Sequence, residues 1–144
     1  MSSVELELAD ELTRRIASLL DLPAKRQYLW ILERDKLGSD LHVTVFPNSD
    51  ALELADQESN EELIEINIVI QKAVDPANVE QVDGVLHTVR RLKDLWGTDG
   101  VLRDEPLAGC TWVSLANAPV WNPDRLLNQK EFFSVVTVGY RTDQ

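Results

Sequence analysis

One cysteine and two histidines are all that the 144 residues offer to soft-metal or nucleophilic chemistry. With Cys110 alone no disulfide can form within the chain, which fits a reducing compartment. A closed tetrahedral metal site needs four ligands and a catalytic one three. His42 stands apart in the sequence, and only Asp83 and His87, four positions apart, fall on one helical turn. Two ligands make no site, so the pair reads as a surface pair. Cys110, followed by Thr111 and Trp112, matches no nucleophile motif. It reads as a small buried hydrophobe, with a histidine-activated thiol as the lesser alternative. The chain also has no Gly-x-Ser-x-Gly elbow, no phosphate-cradling glycine loop and no Cys-x-x-Cys pair. Carboxylates are plentiful, but nothing marks two of them as a poised acid and base. The expectation is a non-enzyme without cofactor or metal.

Cations are scarce as well. Fourteen Lys and Arg against 25 Asp and Glu give a formal net charge of −11. A grip on nucleic acid comes from cations that displace the counterions of phosphate, so this balance excludes specific nucleic-acid binding. An acidic wall repels a passing duplex, which is useful where DNA must slide without sticking. Apolar runs of eighteen or more residues are missing, as is a basic N-terminal segment followed by an apolar core and cleavage site. A protein made and kept in the cytoplasm, or leaving it within an assembly, is expected, with no membrane partner.

What is present is an ordinary globular composition, 44% hydrophobic and 27% charged, in a length that suits one domain over residues 1–144. The organising stretch is Glu61 to Lys72. Ile64, Ile66, Ile68 and Ile70 point one way while Glu65, Asn67 and Gln71 point the other, the period of a half-buried antiparallel strand. The cover for this Ile stripe is expected next in sequence, where Asp75-Pro76 opens an amphipathic helix; Asn78 with Gln81 offers an alternative cap. Val79, Val82, Leu86, Val89, Leu92 and Trp96 form its stripe. Gly84 inside it suggests close approach to the sheet, and Gly97 is placed as the left-handed residue that ends it.

An earlier helix is read over Val4 to Leu22 from Leu8, Leu12, Ile16, Leu19 and Leu20, stopped by Pro23. Tyr28 to Leu32 reads as an interior strand, Asp35 to Asp40 as a turn, and Leu41 to Phe46 as the hairpin partner. Between Pro47 and Glu61 lies a long loop with Asp50, Glu53, Asp56 and Glu58 and no Lys or Arg. It is either an interaction arm or a solvated acidic loop. Cys110 to Ala118 and Phe132 to Arg141 read as the closing strands, with a turn and one helical turn at Asp124 to Leu127 between them. The fold class is therefore α+β: a mostly antiparallel sheet of about five strands with two main helices, in the order α-β-β-β-α-β-β. Arg90, Arg91 and Lys93 make a basic cluster near the second helix's C-terminus, where the dipole favours cations. In so acidic a chain the cluster is also a candidate complement for another subunit's acidic loop. Trp121, beside two prolines, is the candidate surface anchor among four tryptophans.

Two stretches carry a family resemblance. Asn67-Ile-Val-Ile-Gln-Lys-Ala-Val-Asp-Pro76 leading into the second helix, and Trp121-Asn-Pro-Asp-Arg-Leu-Leu127 followed by Lys130-Glu-Phe-Phe-Ser-Val-Val-Thr-Val-Gly-Tyr-Arg141, resemble the small tail-completion proteins of long-tailed bacteriophages. The resemblance spans roughly residues 28–141 and contains no catalytic motif. It implies a tail terminator or near relative: a structural subunit of the virion neck or tail, assembled in the host cytoplasm. Such subunits commonly form hexameric rings that cap the tail tube and meet the head connector. DNA would pass through such a ring without being specifically bound. The rival reading is an acidic, dimeric secretion chaperone of the type III kind that wraps an extended partner segment. The closing strand and the Trp-Asn-Pro-Asp segment have no place in that pattern.

Overall fold

A computed structural model describes residues 4–27, 40–48 and 63–142. The elements are α1 (Val4–Leu20), β1 (Ala24–Arg26), β2 (His42–Pro47), β3 (Leu63–Ala73), α2 (Val79–Asp94), β4 (Cys110–Asn117), α3 (Pro123–Gln129) and β5 (Glu131–Thr142). This is the α+β class read from the sequence, with α3 longer than the single turn expected. The strands form one sheet in the order β1-β2-β3-β5-β4, antiparallel except between β1 and β2.

β3 holds the middle of the sheet, where an unbroken Ile stripe is covered by neighbours on both sides. Ile64, Ile66, Ile68 and Ile70 are fully buried. The register sets Ile64, Ile66 and Ile68 opposite Tyr140, Val138 and Val136 of β5, and Ile68 and Ile70 opposite Val45 and Val43 of β2. A slip of one residue would turn the whole stripe to the outer face.

The sequence points to α2 as the cover for this face, and two helices share the task. α1 lies against β1, β2 and β3, while α2 approaches β5. Five strands about 4.8 Å apart span nearly twice the diameter of a helix, so one helix leaves half the sheet wet. α1 buries Leu8, Ala9, Leu12, Ile16 and Leu20. Leu19, expected in that stripe, is 37% exposed, because it sits 100° around the helix from Leu20. Asp21 follows in the left-handed conformation, two residues ahead of Pro23.

At the start of α2 the alternative cap read from the sequence, Asn78 with Gln81, is the one formed, and the end of the helix differs from the reading. Asn78 is the N-cap and accepts from the Gln81 backbone N–H. Asp75 instead closes a turn ahead of the helix, its carboxylate accepting from the Ala77 backbone N–H, while the Gln81 side chain accepts from the Asp75 N–H. Val79 therefore falls at the first helical position and is 67% exposed, and Val85 takes its place in the buried stripe. At the far end Leu95 caps the helix in the right-handed conformation. The next N–H groups reach back three residues to Leu92, Lys93 and Asp94. The left-handed residue is Asp99, not Gly97. The glycine this turn requires is Gly100, where a Cβ would stand 2.5 Å from the carbonyl oxygens of Asp94 and Leu95.

β2 is paired on both sides. β3 pairs with β2 along one edge, and β1 takes Val43 to Val45 on the other in parallel. The strand read at 28–32 and the turn read at 35–40, apart from its last residue, lie outside the described residues. On the outer face of the sheet Phe46, Val69 and Phe133 form a second, smaller apolar cluster.

Candidate interaction surface

The closing unit of the chain carries, on a braced turn, the most exposed aromatic side chain among the described residues. Asn117, at the end of β4, donates through Nδ2 to Val135 O at 2.8 Å, to Ser134 Oγ at 3.1 Å and to Pro119 O at 3.3 Å. The Ala118 N–H and the Pro119 carbonyl continue the ladder to Val135. The turn thus stays in register with β5 before it leaves the sheet. Trp121 stands in this turn, 44% exposed, between Pro119 and Pro123. Asn122 then caps α3, accepting from the Arg125 N–H, with Pro123 where a missing N–H costs nothing.

α3 is tied down by charge as well as by its caps. Glu131 is fully buried although it opens a strand. Its carboxylate accepts from Arg125 at 3.3 Å and from Gln71 Nε2 at 2.9 Å, and the Arg125 guanidinium lies 4.4 Å from the centre of the Phe133 ring. A carboxylate taken out of water needs such partners, because its desolvation costs several kcal/mol. With Arg125 turned to the sheet, Leu126 packs against the core and Leu127 is left 73% exposed. The exposed residues of this unit are mostly polar, Asp124, Asn128, Gln129 and Lys130, and Trp121 ahead of α3 and Leu127 within it are its large apolar side chains open to solvent.

Of the other residues singled out by sequence, Arg90 and Arg91 are exposed on α2. Arg91 also donates to the Leu20 carbonyl at 3.4 Å, at the C-terminal end of α1 where a cation meets the negative end of the dipole. Asp50, Glu53, Asp56 and Glu58 lie outside the described residues. Arg90 and Arg91 stand on α2, and Trp121 stands in the turn between β4 and α3. Arg125, Glu131, Gln71 and Asn117 were not legible as a unit. Charges six positions apart across a helix end have no periodic signal, and the contribution of Gln71 depends on strand pairing.

Asp83 and His87 are both exposed on α2, and His42 lies on the outer face of β2 opposite Gln71. Among the described residues no three of His, Cys, Asp and Glu are grouped to hold a metal ion. Cys110 is fully buried, with its Sγ 3.6 Å from Ala108 O, the environment of a packed thiol. An open groove of about 250 Å³ runs between the start of α2 and the end of β3, lined by Lys72, Glu80, Gln81, Gly84, Val85 and Thr88 with Leu41. A Cβ at Gly84 would meet nothing within 4 Å, so close approach to the sheet does not explain that glycine. No helix among the described residues is long and apolar enough to cross a membrane. Compared with known proteins, the chain matches no family model and no curated protein.

Proposed function

We propose that this chain is a tail-completion subunit of a long-tailed bacteriophage or prophage. It assembles as a ring that caps the tail tube and joins it to the head connector, and it catalyses no reaction. The observation that carries the reading is the closing unit from Trp121 to Thr142. The two stretches that resemble tail-completion proteins fold as one strand entering a capped helix and one turn, helix and strand, and β3 and β5 pair along their whole length. A ring is built from head-to-tail contacts, in which one patch meets a different patch on the next copy. Trp121 and Leu127, held on a braced turn and helix, supply one such patch, and tryptophan is among the residues enriched at the energetic centres of interfaces. The acidic balance supports a lumen through which DNA passes without adhering.

The test is electron microscopy of the purified protein alone and with tail tubes. Rings with an open centre, or rings seated on tube ends, are the expected result. Protein that stays off tube ends but retains an extended partner polypeptide would instead support the secretion-chaperone reading.

A further inference from the structure

We infer that the solvent face of α2 pairs two copies of this chain through an antiparallel, two-fold helix contact that crosses between Gly84 and His87. Glu80, Asp83, Gly84, His87, Arg90 and Arg91 are all exposed on this face. The acids stand in its N-terminal half and the cations in its C-terminal half. A second α2 laid antiparallel sets Glu80 and Asp83 beside the second copy's Arg91 and Arg90, and the two-fold axis repeats the match. A parallel copy in register would face like charge with like, so the pattern selects one orientation. Asp94 falls beyond the paired stretch.

Charge order alone is what a helix dipole favours in any case. The second observation is Gly84. Glycine is the poorest helix former after proline, and nothing in the subunit calls for it: its backbone is not left-handed and a side chain there would meet open space. A glycine on an exposed helix face lowers the surface locally and lets another helix approach. The groove beside it, with Leu41 and Val85 among its walls, adds apolar area to that approach. One four-turn helix buries little, so the contact is weak and salt-sensitive. It is self-complementary and closes on itself, so it builds no ring and stands whether or not the chain completes a tail.

The test uses two charge-reversed variants, Glu80→Lys with Asp83→Lys, and Arg90→Glu with Arg91→Glu, followed by sedimentation velocity at low salt. Each variant alone should associate on the order of tenfold more weakly than the parent. Their equimolar mixture should regain a species of twice the mass formed by either alone, because each reversed half then meets its complement. Gly84→Leu should weaken pairing while leaving the thermal midpoint no lower, which separates lost contact from lost fold. A parent that shows no such doubling at high concentration overturns the inference, as does a mixture that fails to pair. So does a Lys variant that pairs like the parent, since Arg90 and Arg91 would then answer to a different partner, such as the acidic stretch at 50–58.

Discussion

Tyr140 and Trp96 show how much one core contact decides. Both are buried, and the Trp96 indole N–H donates to the Tyr140 hydroxyl at 2.8 Å. Burial pushes the phenol up from 10.0 to about 12, against the opposing pull of the Trp96 hydrogen bond. The folded-state value lies above the unfolded one, so this stabilisation is complete below pH 10 and is lost as the pH climbs through 12. A two-unit difference is about 2 to 3 kcal/mol. Stability measured by denaturant between pH 9 and 12 should fall by that order, and Tyr140→Phe should flatten this part of the profile. The same variant leaves the Trp96 donor buried and unpaired, at a cost of about 1–3 kcal/mol at neutral pH. Gly100 makes a second prediction at this scale. Gly100→Ala drives a Cβ against two backbone oxygens, so it should lower the thermal midpoint, whereas Gly84→Ala, with open space, should raise stability by roughly 0.5–1 kcal/mol. Calorimetry of the pair gives both signs.

Among the elements, α3 depends most on a single interaction. Arg125→Ala strands the Glu131 carboxylate in the sheet with Gln71 as its remaining partner, and breaking a buried pair this way costs about 3–5 kcal/mol. Hydrogen exchange should then show α3 and the start of β5 opening before β3. Equal protection of both would mean that the Arg125–Glu131 pair does not hold α3. β3 and β5 were legible in the sequence to within a residue or two because a period of two with β-branched residues has no other reading. α1 was legible for the same reason at helical period. β1 was not: Ala24, Lys25 and Arg26 have no apolar stripe, and the segment is a strand only because β2 offers it a free edge. The sequence left the cap open between Asp75 and Asn78, of which Asn78 forms it, and it misplaced the left-handed residue at Gly97, where the structure has Asp99. The choice between them turned on hydrogen bonds and close contacts that appear only once the chain is folded. Trp121 was legible as a surface residue by its prolines; the buried brace beneath it was not.

For the whole molecule, the central claim is that this sheet, with its two helices and its exposed closing turn, is an assembly part and not a catalyst. Trp121→Ala should leave the fold intact, since the side chain is substantially exposed, while reducing self-assembly or tube binding by about tenfold or more if the residue is an interface centre. Circular dichroism and a binding titration on the same sample separate the two effects. The most direct measurement is the length of tail tubes polymerised from their subunits with increasing amounts of this protein, read by electron microscopy. The account requires tubes that shorten as the ratio rises and carry rings at their ends; tubes of unchanged length with bare ends would contradict it.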